Sequence, residues 1–384
     1  MAETLLPGRI GQLYGAAESS YGTPPTLLAT HACRHLNFKP SFNPFNRVNS
    51  PAKKQSPGTV ARFDRRSSAG ASVEALWQPS GTLNTLSEAD VMLAHVLATP
   101  ANITLATTVS ATPAPTTTGA SVASATGLVI GQGIGIVVAG VKYVRWLTNV
   151  ATLALTWAPA LPSAPVSGAA VTGACTYKPA STIASSLCWA HYPTTDTVLS
   201  KIIKGFVAEK LGFAFAQNDE PRLTVSGKAK TQTVAPAKPA AFTTVGAQNP
   251  PSGLTGELYV GDAAYKFIKL DAEIDTGVVL RDNTFGFSSP ESILMTGRRM
   301  VTLGIDALRG DEAVIYDPAE AGTMLAIAMQ CGFTAGNIIA IRWPIVDFTV
   351  PDEDDPDEVP TWPFKGVAKE SADGANDEIS VVLA

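Results

Sequence analysis

The chain has 384 residues, 45% of them hydrophobic and only 16% charged, with a net charge of −5 at pH 7. That length allows two or three domains, the apolar content excludes a disordered chain, and the acidic balance excludes a nucleic-acid grip built on excess Lys and Arg. Abundant Thr, Ser, Ala, Gly and Pro suit sheets and turns better than helix bundles.

Residues 1–30 are rich in Gly, Pro and Ser and are expected to be extended. Met1-Ala-Glu-Thr lacks the basic start and apolar core of a signal peptide, so no cleaved export signal is expected. A strand is expected from His35 to Phe42, with Leu36, Phe38 and Phe42 on one side. A long turn-rich stretch follows, Asn43 to Lys54, and then Ser56-Pro57 leads through Val60 and Phe63 to Arg65-Arg66. A connection of this length reads as a protruding arm or as disorder, and long loops carry function. Ala71-Ser-Val73-Glu-Ala75 alternates as a strand, and Ser87-Glu88-Ala89-Asp90 opens a helix.

From about Thr99 the pattern changes. Asn102 to Thr126 is Ala/Thr/Ser/Pro low-complexity, a linker or weak strands. Strands are expected at Leu128–Ile130, Ile134–Val141, Tyr143–Leu147, Thr152–Trp157 and Ala169–Val171, with turns at Pro162 and Pro165. The longest apolar run, Leu128 to Val141, is broken by Gly131, Gln132, Gly133 and Gly135 and is too short to span a bilayer. Phe206–Phe215 and, past Pro221, Leu223–Ala229 read as two further strands. Val234–Gly253, rich in Pro, Ala and Lys, reads as a linker.

The remainder repeats what came first. Phe267–Ile274 alternates like His35–Phe42, and Asp275–Ser288 is a second long stretch. Ser289-Pro290 leads, at the same spacing and an offset of 233, to Arg298-Arg299. Leu303-Gly-Ile305-Asp-Ala307 alternates next, and Glu-Ala-x-x-Met-Leu-Ala occurs at both Glu88–Ala94 and Glu320–Ala326, offset 232. Asp317-Pro318 reads as the N-cap and N1 of a helix carrying Met324, Leu325 and Ala328 on one side. Ile338–Val350 and Trp362–Ala368 close the copy, with Pro221/Pro360 and Gly227/Gly366 at a common offset of 139. Ordered landmarks of this kind indicate a tandem duplication. Copy one is longer by 93 residues, which form an insert.

The fold class is therefore mainly β: sandwich or tube-type domains, each with one flanking α-helix, in tandem, plus a small β insert. The expected division is 1–101 with 180–233, a discontinuous first domain; 102–179, the insert; 234–253, the linker; and 254–384, the second domain.

No catalytic chemistry stands out. Gly131, Gly133 and Gly135 are misspaced for a nucleotide loop, and Cys33-Arg34-His35 has no second half of a metal site. His95 and His191 are isolated, and no serine sits in a Gly-x-Ser-x-Gly elbow. Cys33, Cys175, Cys188 and Cys331 form no CxxC pair and read as free buried thiols. The run Asp352–Glu358, with Asp354 and Asp355, lacks the turn glycine of a calcium loop and reads as a solvated loop or a contact for a basic neighbour. No catalytic residue, metal or cofactor is expected, nor an enzyme. Arg65, Arg66, Arg298 and Arg299 either lie at strand ends in solvent or meet a neighbouring subunit, where the planar guanidinium suits ion pairs and Asp352, Asp354 and Asp355 supply the opposite sign.

Taken together, Leu36-Asn-Phe38-Lys-Pro40, Ser56-Pro57 with Arg65-Arg66, Val225-Ser-Gly227-Lys, Asn283-Thr-Phe-Gly-Phe-Ser-Ser-Pro290, Thr296-Gly-Arg-Arg299 and Arg342-Trp-Pro344 resemble the major tail tube proteins of long, non-contractile-tailed bacteriophages. The resemblance covers most of the chain outside the insert. It implies a virion tail protein, assembled in the host cytoplasm, whose sandwiches form stacked rings around a channel for DNA. Its implied partners are itself, the tape measure protein and the tail-end proteins, with DNA passing without specific binding and no membrane.

Joining inner sheets around an axis pairs every exposed edge, and two fused copies would build from three chains the ring that single domains build from six. A homotrimeric ring stacking head to tail is expected. Phe45, Arg47, Lys53 and Lys54 of one arm, and Arg281 and Phe285 of the other, are candidates to reach the adjacent ring. A neutral or acidic channel wall is expected, because repeated basic contacts would hold DNA, and the insert is expected to face outwards. The alternatives are a tail-end adaptor or terminator of the same fold, and a host-surface protein that stacks glycans on Tyr143, Trp146 and Trp157.

Overall fold

One strand pattern occurs twice, side by side, in the computed structural model, which describes residues 11–44, 46–49, 62–65, 67–183, 185–193, 200–239, 249–281, 285–286, 288–295, 297–308, 312–351 and 361–384. The first copy opens with β1 (Gln12–Ala17), β2 (Ala32–Cys33), β3 (Asn37–Asn43), β4 (Asn46–Asn49), β5 (Arg62–Arg65), β6 (Ser68–Leu76), α1 (Asp90–Leu97) and β7 (Ala101–Asn102). The insert holds β8 (Ala106–Thr108), β9 (Gly119–Ser121), β10 (Gly133–Val138), β11 (Val141–Ala151), β12 (Ala154–Ala158) and β13 (Ala170–Gly173). β14 (Cys175–Tyr177), inside the stretch expected to be insert, lies outside the insert's sheet and pairs with β7 of the first copy and with the last strand of the second. The first copy then continues with β15 (Leu187–Tyr192), β16 (Lys201–Ala216), β17 (Arg222–Ala229) and β18 (Thr231–Val234). The second copy begins with β19 (Gly256–Val260), β20 (Ala263–Tyr265), β21 (Phe267–Asp275), β22 (Val278–Arg281), β23 (Ser292–Met295) and β24 (Met300–Leu308). It ends with α2 (Glu312–Glu320), β25 (Leu325–Cys331), β26 (Ile339–Thr349), β27 (Thr361–Ala368) and β28 (Ser380–Leu383).

The pairings of the two copies coincide. β1 pairs with β2 and β15 as β19 pairs with β20 and β25. The ladder β3–β6–β17–β16 is repeated as β21–β24–β27–β26. The β15–β16 and β25–β26 ladders slip register at the same place, between Leu187 and Trp189 and between Leu325 and Ile327. β6 and β24 match end to end at an offset of 232, and β17 and β27 at 139.

Each copy is a two-layer sandwich, because its alternating strands have one apolar face to bury. The long strand β16 serves both layers. Its first half pairs with β15 and β18 in the outer layer, and its second half with β17 and β21 in the inner one. The crossing falls at a bulge between Ala208 and Lys210, the device that bends a strand from one sheet into another. Trp77, Trp189, Phe206, Phe213, Trp343 and Phe364 belong to one core running through both copies, closed over the first by Met92, Leu93, Val96 and Leu97 of α1.

The insert is a separate sheet in the order β8-β13-β10-β11-β12-β9. The low-complexity stretch contributes β8 and β9, whereas Leu128–Ile130 is not a strand: Val129 and Ile130 are exposed at a turn beside Gly131, whose φ is +79°.

The extended start contains β1, paired to β15 in the outer layer. The long stretches after β3 and β21 contain paired strands, β4–β5 and β22–β23, a form that a protruding arm takes. One further expectation needs correcting. The second helix ends where it was expected to begin: α2 holds Asp317 and Pro318 in its last turn, and Leu325–Cys331 is strand. The core decides this, because alternation puts Ile327, Met329 and Cys331 into the main cluster opposite β19. Glu-Ala-x-x-Met-Leu-Ala thus lies at the start of a helix in one copy and at a helix-to-strand junction in the other, so that landmark does not mark equivalent elements.

Candidate assembly site

The two copies meet through an antiparallel seam in which β16 pairs with β21, from Lys210↔Asp275 through Leu211↔Ile274 to Ala216↔Lys269. The seam makes one inner sheet, β3-β6-β17-β16-β21-β24-β27-β26. Leu211 and Ile274 are wholly buried in it, each worth about 1.5–3 kcal/mol of apolar transfer. At the far side of copy one, β3 pairs only with β6 among the described residues.

The face of this sheet turned away from the core is charged and internally neutralised. Lys210 reaches Glu273 at 2.6 Å, Lys228 reaches Glu209 at 2.5 Å, and Arg222 lies 2.9 Å from Asp219 and 3.4 Å from Glu74. Lys269 pairs with Asp271, and Lys369 lies 2.7 Å from Asp347. Exposed pairs of this kind add little stability; their effect is on the surface potential. Cations and carboxylates alternate along neighbouring strands, so the face offers few unneutralised positive charges to an anion.

One surface on the opposite side is already covered. Tyr259, Ala328, Ala340 and Val382, on the outer face of the second copy, bury against Val144, Trp146 and Ala174 of the insert. Polar groups fix this contact. The Gln330 side chain accepts from the Val144 N–H at 2.7 Å and donates to the carbonyls of Lys142 (3.0 Å) and Gly332 (2.9 Å). The Arg145 guanidinium lies 4.6 Å from the Tyr259 ring centroid, and burial lowers its pKa. Trp146 Nε1 donates to Ser380 Oγ at 3.0 Å.

These contacts overturn the glycan platform. Trp146 and Trp157 are each only 2% exposed, and Tyr143 packs edge-on against Phe333 with its ring centroid 5.7 Å away. The rings are spent in the core of the insert and in its docking.

The candidate contact residues separate. Arg299 is enclosed within its own chain: it donates to the Ala180 carbonyl at 2.6 Å and to Asn376 Oδ1 at 3.0 Å, and it pairs with Glu378. It therefore ties the C-terminal segment to Ala180, between β14 and β15, while its neighbour Arg298 is exposed. The arginine pairs are also out of step, since Arg65 ends β5 whereas Arg298 lies beyond β23. Arg281 is exposed on β22, facing Glu291 at 4.0 Å, and Phe285 is fully exposed. Arg47 lies in β4. Arg66, Phe45, Lys53, Lys54, Asp352, Asp354 and Asp355 lie outside the described residues. The seam, Gln330 and the Arg299 cluster were not picked out in the sequence, although the offsets of 232 and 139 align the strands that build the seam.

Among the described residues no group of three or more His, Cys, Asp or Glu is placed to hold a metal ion, and all four cysteines are free and buried. No helix among them is long and apolar enough to cross a membrane. Duplicated sandwiches joined edge to edge, with a charge-paired face and, among the described residues, an end strand paired on one side only, define a sheet-building structural protein. Residues 8–380 match the phage tail tube protein family, and the chain belongs to that family. It is thus a structural protein of the bacteriophage tail. No curated protein matches the chain closely enough for comparison.

Proposed function

We propose that three chains close into a ring with pseudo-sixfold symmetry, and that the rings stack head to tail into the tube through which the phage genome is delivered. The seam between β16 and β21 carries this reading, because it is a domain-to-domain junction of the kind the ring needs, already made once inside each chain. An edge strand left open is a template for another chain, and closing the ring removes it.

The inner sheet then lines the channel with its charge-balanced face, across which DNA slides rather than sticks. The insert, docked on the opposite face of copy two, points away from the axis. The β4–β5 and β22–β23 hairpins, with Phe45, Arg47, Lys53, Lys54, Arg281 and Phe285 on or beside them, reach the next ring. Arg65, Arg66 and Arg298 meet Asp352, Asp354 and Asp355 of a neighbour. The tape measure protein occupies the lumen during assembly in the host cytoplasm, and tail-end proteins cap the tube.

Cryo-electron microscopy of the purified, polymerised protein tests this. Three chains per ring, with the inner sheet on the lumen, are expected; six chains per ring refute the proposal.

A further inference from the structure

Resting on the ring reading, we infer the register in which two chains join: Thr349 of one chain faces Asn43 of the next, and Val350 faces Phe42. The duplication supplies the template. Within the chain, Lys210 faces Asp275 across the seam. Lys210 also faces Ser226 on β17, and Thr349 faces Lys365 on β27, where Ser226 and Lys365 are equivalent at the offset of 139. Asp275 faces Met300 on β24, and Asn43 faces Ser68 on β6, where Ser68 and Met300 are equivalent at the offset of 232. Thr349 therefore stands where Lys210 stands, and Asn43 where Asp275 stands. The Lys210↔Asp275 junction, made between chains, becomes Thr349↔Asn43.

Burial supports the same register independently. Leu211 and Ile274, directly opposed in the seam, are each 0% exposed. Their equivalents are Val350, 42% exposed, and Phe42, 37% exposed, both large apolar side chains left open on the single chain. The inferred register brings these two face to face, as cross-strand apolar pairs require. A slip of one residue would turn one of them to the wrong face of the sheet. Pro40, at the middle of the free edge, takes the place of Ala272 and has no N–H to donate, so β3 is a poor template for indiscriminate strands. That leaves the Phe42 end of β3 to accept the partner.

Paired cysteines read the register directly. Opposed positions of an antiparallel ladder have Cα atoms about 4.5–5.5 Å apart, within disulfide reach, and the native cysteines are buried. The double variant Asn43→Cys/Thr349→Cys, polymerised under reductant and then oxidised, is expected to give covalent trimers on non-reducing gels. Ser41→Cys/Thr349→Cys, displaced by two residues on the same face, is expected to stay monomeric on those gels. Tubes that form while the first pair stays unlinked, or while the second pair links instead, overturn the register and leave the ring intact. Wild-type protein that makes neither rings nor tubes overturns both. Should the cysteine variants fail to polymerise under reductant, Phe42→Asp and Val350→Asp decide: each is expected to abolish polymerisation without lowering the melting midpoint of the monomer, and unimpaired polymerisation of either overturns the register.

Discussion

His95 Nε2, on α1, accepts a hydrogen bond from the backbone N–H of Ala208 at 3.1 Å. Ala208 adjoins the bulge where β16 leaves the outer layer for the inner one, so the helix is clipped to the strand at its bend. Burial lowers the His95 pKa from 6.5 to about 4, which keeps the ring neutral and Nε2 free to accept. The unfolded chain binds this proton below pH 6.5, whereas the folded chain resists it down to about 4. Stability therefore falls as pH drops through that window, by up to about 3 kcal/mol. His95→Gln should flatten this part of the profile, as measured by urea denaturation at pH 7.5, 6, 5 and 4.5. An equally steep fall in the variant would exclude His95 as its source.

Arg299 and Arg298 should behave differently although they are adjacent. Arg299→Ala leaves Glu378, only 5% exposed, without its guanidinium, and should cost about 3–5 kcal/mol in urea denaturation of the monomer. Arg298→Ala removes an exposed side chain and should change monomer stability by less than about 0.5 kcal/mol. Similar losses in both would contradict the enclosed placement of Arg299.

Gln330 is the polar fastener of the insert. Gln330→Leu strands the Val144 N–H and the Lys142 carbonyl beneath a buried surface, and a loss of about 2–4 kcal/mol is expected from the unpaired groups. Amide exchange should speed up around Val144 before it does in β16 or β24. Uniform acceleration throughout the chain would indicate that the insert and the sandwiches unfold as one unit.

The neutralised face makes a prediction about DNA. Glu273→Gln with Asp271→Asn frees Lys210 and Lys269 from their carboxylates. Tubes of this variant should bind double-stranded DNA more tightly than wild-type tubes, with a salt slope steeper by about 0.9 for each added phosphate contact. Electrophoretic retardation over a salt series measures both quantities, and an unchanged slope would place this face away from the DNA.

Strand content was readable wherever one face of a strand is buried and the other wet. Phe267–Ile274 and Leu223–Ala229 alternate because burial alternates there, and β21 and β17 follow them. Outer-layer strands buried on both faces gave no such signal. Leu325–Cys331 sends Ile327 and Met329 into the main core and Ala328 into the insert contact, so its residues are apolar without period two and pass for a helix. Trp146 and Trp157 looked like a binding platform for a related reason: composition cannot distinguish an exposed ring from one packed under a neighbour.

By itself the amino-acid order determined that the chain is a duplicated sheet-former with an insert, because equivalent strands keep equivalent patterns and a repeat survives as a constant offset. Only the folded chain decided where the insert docks, that Arg299 closes on Glu378, and, among the described residues, which strand edges are paired and which are open. Those outcomes depend on which surfaces meet across distant parts of the chain, and local pattern, which records burial without naming the partner, holds no information about that.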